Sequence, residues 1–490
     1  MPQPAPSPSP GIPPGCNTRP PIVGDQRRRL MQRWHGPGGI AHVLRIGLPL
    51  LAGMGSITAM HLTDRIFLGW YSQDALAASL PAGATFFLLT SFFLGTAGYA
   101  GVLVAQHVGA GQTDKVGRVV WQGVWFALAS FAPLILLALA AGPIFAAMGH
   151  PAEVRSLEET YYRVLMLGAG FMVLEAALAA FFSGRGLTRV VMCVNIGGAI
   201  LNIPLNYLLI FGNWGLPSLG VAGSALATVT AWAAMAGAYG LLIFTRRNDG
   251  LYGVFRGRAF DRPLFARLVR LGMPGGAQVF LDVFAATVFI ALAGRIGKAE
   301  LTATSIVLSA NTPAFLPLIG LSQGLAVIVG QSMGAGKPAE AVRAAGSAVR
   351  IMAIYMVIMA AVFLGFPDQL ALIFSPNEAD ASFGAALAYC RPLFAWVVVL
   401  GFCDVVIHAA FGVLRGAGDT RYLMVAAALV SAFALVAPAW LAVTAFSFGV
   451  VGLWGVFAFY AAVMAVVLWL RCRGGAWQTL RLVRPAGDGH

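Results

Sequence analysis

Four carboxylates fall where the surrounding sequence offers no water. Of the 19 acidic residues, Asp64, Glu175, Asp282 and Asp404 alone lie well inside long apolar stretches. A charge at the centre of a bilayer costs ~2.5–3.5 kcal/mol on insertion scales, so each acid needs a reason, and the default reason is a cation site or a proton relay. The plainer alternative is a carboxylate held neutral, or paired with Arg65 or Arg391, that serves helix packing. Neighbours at helical spacing sharpen the choice, because residues three or four apart share a helix face. His61 with Asp64, Gln278 with Asp282, and Asp404 with His408 are three such pairs. A histidine beside a carboxylate can share a proton or a cation's charge, whereas one satisfied by a backbone carbonyl is only a packing residue.

A second constellation is Leu201-Asn202-Ile203-Pro204-Leu205-Asn206. Pro204 has no N–H to donate and frees the carbonyl of Ile200, while Asn202 and Asn206 stand one turn apart on one face. Amide and carbonyl oxygens beside Asp64 would suit a hard monovalent cation, or a protonation switch on that acid. A packing kink with interhelical amide bonds is the alternative. The 32 phenylalanines and 16 methionines mostly serve core and lipid contact, and some can line an adaptable pocket in which aromatic faces and a carboxylate favour lipophilic cations.

Other chemistry is poorly supported. Cys16, Cys193, Cys390, Cys403 and Cys472 form no C-x-x-C pair, which argues against a zinc site or a disulfide framework. A phosphate-binding loop would need Gly-x-x-x-x-Gly-Lys-Ser/Thr, but Lys337 precedes Pro338 and Gln331 stands five before Gly336. No nucleophile and base constellation is evident, so an enzyme is not expected, and no cofactor beyond a coupling ion. The net charge of +13 sits on arginines between apolar runs, where it sets membrane orientation and not nucleic-acid binding.

The elements that must position these acids follow from composition. With 59% of 490 residues apolar and 10% charged, and a mean hydropathy of +0.79, the chain carries more apolar surface than a soluble protein can bury. Runs long enough to span a bilayer are predicted at about 42–70, 75–107, 118–147, 159–184, 189–212, 219–245, 268–296, 299–331, 343–366, 383–412, 420–446 and 450–470. Assigning alternate loops to one side collects Arg27 to Arg29, Lys115, Arg118, Arg185, Arg189, the arginines from Arg246 to Arg270, Lys337, Arg343, Arg415, Arg421, Arg471 and Arg473. That asymmetry places both termini in the cytoplasm of a bacterial-type inner membrane.

The chain also repeats. Leu44-Arg45-Ile46-Gly47-Leu48-Pro49 recurs as Val269-Arg270-Leu271-Gly272-Met273-Pro274, and Val104-Ala105-Gln106-His107-Val108-Gly109-Ala110-Gly111 as Val329-Gly330-Gln331-Ser332-Met333-Gly334-Ala335-Gly336, both 225 residues apart. Gly184-Arg185-Gly186-Leu187-Thr188-Arg189 matches Gly416-Ala417-Gly418-Asp419-Thr420-Arg421, and Ser218 to Gly223 matches Ser447 to Gly452. An even number of helices per repeat relates the halves by an axis along the membrane normal. The expected organisation is a disordered Pro/Arg-rich tail (1–41), an amino-terminal lobe (42–245), a linker (246–267), a carboxy-terminal lobe (268–470) and a basic tail (471–490). In the 225 register Asp64 falls opposite Phe289 and Asp282 opposite Ile57, so neither acid is a product of duplication.

Taken together, Asp64-Arg65-Ile66-Phe67-Leu68-Gly69 within the stretch from Pro49, the doubled glycine turns, Leu201 to Tyr207, and Leu414-Arg415-Gly416-Ala417-Gly418-Asp419-Thr420-Arg421 resemble the multidrug and toxic compound extrusion (MATE) family over about residues 40 to 470. The resemblance is to the NorM-type branch more than to the DinF-type. It implies an all-helical polytopic membrane protein, two six-helix bundles around a cleft, that exports cationic or amphiphilic compounds in exchange for H⁺ or Na⁺ by alternating access. By the same resemblance, Asp64, Asn202 and Asn206 form the cation and proton site of one lobe, and Asp282 and Asp404 that of the other. His61, Glu175, Pro204, Gln278 and His408 are supporting candidates. Na⁺ is the one metal ion considered, at Asp282 and Asp404 or at Asp64, Asn202 and Asn206. Asp282 stands where that branch commonly has Glu, and Leu400 stands one turn before Asp404 where a Tyr can help hold a cation. The expected partners are lipophilic cations and membrane lipids, with the chain a monomer. A lipid-linked precursor flippase of the same superfamily, or an exporter of an endogenous metabolite, is the alternative. The flippase would be expected to have a basic cleft and extra helices, and a major-facilitator carrier would have Gly-x-x-x-Asp-Arg after its second helix.

Overall fold

The computed structural model describes residues 34–215, 217–374, 381–446, 448–480 and 482–483. Most of the proline-rich tail and the last residues of the basic tail therefore lie outside the described residues. Twelve helices long and apolar enough to cross a membrane account for nearly all of the rest. In chain order they are α1 (Ile40–Tyr71), α2 (Gln73–Gly109), α3 (Thr113–Leu139), α4 (Ala152–Ser183), α5 (Thr188–Phe211), α6 (Gly220–Ile243), α7 (Arg262–Ile296), α8 (Lys298–Gly334), α9 (Pro338–Gly365), α10 (Gly384–Ala417), α11 (Thr420–Thr444) and α12 (Val450–Arg473). The all-helical class and the twelve spans expected from the sequence are what the structure shows, as two six-helix halves.

Local chemistry sets the ends. Asp261 caps α7, its carboxylate accepting from the Leu264 N–H at 3.1 Å, with Pro263 in the first turn, where its missing N–H costs nothing. The helix therefore starts six residues before the apolar run at 268. At the other extreme α10 runs to Ala417, five residues past the apolar run, and carries Arg415 into the bundle. Arg415, expected among the basic residues that orient the chain, stands in the last turn of this helix and donates to Gln278 of α7 at 2.7 Å. Helix α2 breaks at Tyr99, and α11 contains a π-helical segment, Ser431–Val436, the kind of defect often found at functional sites.

Within each half the helices pack on one another, α1 on α5 and α4 on α2, α3 and α6 in the first, and α10 on α8, α9 and α12 in the second. The halves meet where α1 and α2 cross α7 and α8. The basic linker is not a free loop. It forms a short helix, Arg246–Tyr252, and is strapped to the first half: Trp121 Nε1 donates to the Val254 carbonyl at 2.6 Å, Trp125 Nε1 to that of Arg258 at 3.2 Å, and Arg185 lies over the Tyr252 ring at 4.0 Å.

At the end of the bundle that holds this linker, the repeat becomes a physical clasp. Gln106 of α2 donates its side-chain amide across to the Gly416 carbonyl at 3.0 Å, and Gln331 of α8 donates to Gly184 at 2.9 Å. These are the same contact made twice, once by each repeat. The backbones approach so closely that a Cβ on Gly109 would lie 1.9 Å from the Gln331 carbonyl oxygen, and one on Gly334 would lie 2.0 Å from that of Gln106. Only glycine fits at either crossing.

Replacing Gly109 or Gly334 by Val must therefore force the two halves apart at this end. The expected cost is about 1–3 kcal/mol, as for overpacking a filled site, read as a lowered thermal midpoint in detergent. Gly346→Val, where a new Cβ meets nothing within 4 Å, should leave the midpoint in place. Equal midpoints for all three variants would remove the clasp.

Candidate functional site

The acid of α1 is held by the two helices packed beside it. Asp64 is 1% exposed. Its Oδ1 accepts from Asn206 Nδ2 of α5 at 2.6 Å, and its Oδ2 from the Thr228 hydroxyl of α6 at 3.0 Å. Asn202, one turn from Asn206, accepts from Asn206 Nδ2 at 2.7 Å and donates to Thr228 Oγ1 at 3.3 Å. The amide of Asn206 spends its two hydrogens on Asp64 and Asn202, and its buried Oδ1 has no partner among the described residues. His61 Nδ1 stands 3.5 Å from Asp64 Oδ2 with its side chain half exposed, so it links the buried acid to the surroundings of the lobe. Pro204 lies inside α5, which continues through it.

Thr228 is a member the sequence did not single out. Hydroxyls in apolar helices usually satisfy themselves on the carbonyl one turn back, as Thr230 does on Leu226 at 2.7 Å. Thr228 turns to the carboxylate instead. Its only signal was a position facing the partner helices, which a single helix does not reveal.

The second cluster joins α7, α10, α11 and α12. Gln278, 1% exposed, donates its side-chain amide to Asp282 Oδ2, and Arg415 Nη2 donates to Gln278 Oε1 at 2.7 Å. Asp404 lies within electrostatic range of Asp282, and Tyr460 of α12 within range of both acids. Ser431, the first residue of the π-helical segment, meets the Tyr460 hydroxyl at 3.5 Å. Tyr99, at the break in α2, is buried, its hydroxyl has no hydrogen-bond partner among the described residues, and it lies within electrostatic range of Arg415.

Other candidates sit differently. His408 Nδ1 meets the backbone oxygen of Asp404 at 3.0 Å and not its carboxylate. The ring stands edge-on to Phe315, centroids 4.8 Å apart, as a packing residue would. Glu175 of α4 lies within range of Tyr239 and shares no hydrogen-bond partner with either cluster among the described residues. Arg391 pairs with Asp368 at 2.8 Å and compensates none of the buried acids.

The clusters differ in kind. Asp64 is met by neutral donors, with one histidine at the margin. Asp282 is connected to a permanent cation through one amide. No group of three or more histidines, cysteines or carboxylates suited to a metal ion occurs among the described residues.

Comparison with known proteins places the chain and its fold. The family model described as MatE matches residues 49–208 and 274–441, two segments that begin at corresponding positions of the 225-residue repeat. A protein of Rhizobium meliloti named "Probable multidrug resistance protein NorM" is 30% identical over 448 residues, covering 90% of this chain and 93% of that protein. "Multidrug resistance protein PmpM" of Pseudomonas aeruginosa is 29% identical over 393 residues, covering 79% and 80%. Among solved structures, an outward-facing conformation of a multidrug resistance MATE family transporter superposes with a TM-score of 0.82 at 20% identity, covering 91% of this chain and 98% of that one.

If Thr228 serves the Asp64 carboxylate, then Thr228→Val should destabilise the purified protein by about 1–3 kcal/mol, the cost of leaving a buried acceptor unmet. In an Asp64→Asn background the same change should cost much less. A double-mutant cycle on thermal stability reads the coupling, and strictly additive effects would exclude the bond.

Proposed function

The chain belongs to the MatE family, its NorM-type branch, and from that premise we propose that it is a secondary antiporter that exports cationic or amphiphilic compounds in exchange for H⁺ or Na⁺ by alternating access. The observation that carries the proposal is Asp64, a buried carboxylate that accepts from the neutral Asn206 and Thr228, with His61 3.5 Å away at its margin. Such a group binds one positive charge and releases it when a competing charge or a change of exposure demands it. The buried Oδ1 of Asn206, without a partner among the described residues, is one acceptor open to the hydroxyl of a protonated carboxyl, whereas a hard cation needs several converging oxygens.

In the cycle, residues 42–245 and 268–470 move as two bodies, parting at the clasp of Gln106 and Gln331 to admit substrate and closing there to release it. Asp282 and Asp404 give the second lobe the negative charge that attracts a lipophilic cation. The distribution of basic residues supports an inner-membrane location with both termini cytoplasmic, and the chain acts as a monomer on small-molecule substrates.

The test is ethidium uptake into everted vesicles under imposed proton or Na⁺ gradients. Uptake should follow an inside-acid gradient, and Asp64→Asn should reduce it to background while the protein stays inserted at the normal level. Uptake indifferent to both gradients, or undiminished in Asp64→Asn, would defeat the proposal.

A further inference from the structure

Helix α5 packs on α1 and α6, and α6 on α4 and α5, whereas α1 and α2 make the crossing with the second half. The seam between α5 and α6 therefore lies on the flank of the first lobe, and side chains do not fill it. A groove of about 600 Å³ runs along it, walled by Arg189, Cys193, Gly197 and Leu201 of α5 and by Ala238 and Leu242 of α6. The α5 residues recur at every fourth position and so share one helix face, and Leu201 and Leu242 are exposed, so the groove opens to the outside of the bundle. A Cβ on Gly197 would meet nothing within 4 Å. From Arg189 to Leu201 the groove follows α5 for roughly 18 Å at ~1.5 Å per residue. One leaflet of a ~30 Å bilayer core is about 15 Å deep. The walls are apolar except at the linker end. There Arg189 is exposed and makes no ion pair or hydrogen bond among the described residues, while the nearby Arg185 is committed to the Tyr252 hydroxyl at 2.7 Å. Arg246 and Arg247, also exposed, open the linker helix just past the end of α6. No acidic residue lines the groove among the described residues.

We propose that this groove is a binding site for an anionic phospholipid of the leaflet on the linker side, with one acyl chain lying along α5 and α6 and the phosphate held by Arg189. Apolar walls about as long as a leaflet is deep, ending in an unneutralised guanidinium, are the complement of such a molecule, and basic pockets between helices on the cytoplasmic side are known to hold anionic headgroups. Arginine suits the role because its planar fork meets two phosphate oxygens at once. A lipophilic cation fits the walls but not the mouth, where Arg189 repels it. A zwitterionic lipid also fits the walls, yet gains less from the guanidinium because its own ammonium offsets its phosphate. The site is independent of the coupling ion and of transport, since it lies on the flank of the lobe and not at the buried acids.

Cys193 lies in the groove and is exposed, so its alkylation by N-ethylmaleimide, a neutral reagent, reports occupancy. Cys472, in the last turn of α12 at the same end of the bundle, lies outside the groove and reports any general effect of a charged bilayer on thiols. Mass spectrometry, peptide by peptide, gives both rates for the full-length protein in nanodiscs of phosphatidylcholine, with or without phosphatidylglycerol of the same acyl chains. Phosphatidylglycerol should lower the Cys193 rate relative to Cys472 by about fivefold, the attraction that one arginine contributes toward an anionic headgroup. Arg189→Gln should abolish that difference, and Arg189→Lys should keep part of it, which a merely structural arginine would not require. Gly197→Phe, whose ring enters the open groove, should also abolish the difference, and it decides the matter if Arg189→Gln does not insert. Equal relative rates in the two bilayers, or a phosphatidylglycerol effect that survives Arg189→Gln, overturns the proposal. Protection that rises with the number of protein copies per disc and not with phosphatidylglycerol overturns it too, since the groove would then be a contact between two copies of the chain.

Discussion

A carboxylate surrounded by helices and lipid can never be left alone, and the architecture follows from how that demand is met. Water solvates a charge from all sides; here two or three side chains must do it. For Asp64 these are an asparagine of α5 and a threonine of α6, which ties three helices of one lobe to a single ionisable group. Any change in its charge changes what those helices hold together. In the proposed antiport, a change of charge at this one group is what is converted into a rearrangement of packed bodies.

The two halves share a backbone plan and diverge in chemistry. The clasp at the basic end is almost exactly doubled, glutamine for glutamine and glycine for glycine, because it is made of close backbone approaches that tolerate one residue type. The acids are not doubled. One lobe balances its carboxylate with neutral donors, the other with a built-in guanidinium reached through Gln278. The repeat thus carries symmetric crossings, while the polar residues differ between the halves. The family model matching both halves in register reflects the first of these, and the lone glutamine relay of α7 reflects the second.

Most of the fold was legible in the sequence because lipid imposes a simple rule, that long apolar runs are helices, and the rule held to within a few residues at most ends. It failed where polar side chains cap or extend a helix, as Asp261 does for α7 and as the run to Ala417 does for α10. The core of the first cluster was legible too, since Asp64, Asn202 and Asn206 break an apolar pattern at helical spacing. Thr228 was not, because a hydroxyl that serves its own helix and one that serves a neighbour are identical in sequence. Arg415 was hidden by position, for an arginine near a helix end is indistinguishable from one that orients the chain. The Asp404 and His408 spacing predicted a shared face correctly but said nothing of which way the imidazole turns, and it turns to the backbone.

In the proposed antiport an organic cation and a coupling ion contend for the same buried negative charge. Calorimetric titration of ethidium into the purified protein, repeated in buffers of different ionisation enthalpy and with or without Na⁺, tests it most directly. Dye binding should expel a proton, seen as a buffer-dependent heat, and Asp64→Asn should abolish that expulsion. Heat that depends neither on buffer nor on Na⁺ in the wild-type protein would mean that nothing leaves when the cation arrives, and the competition would not exist.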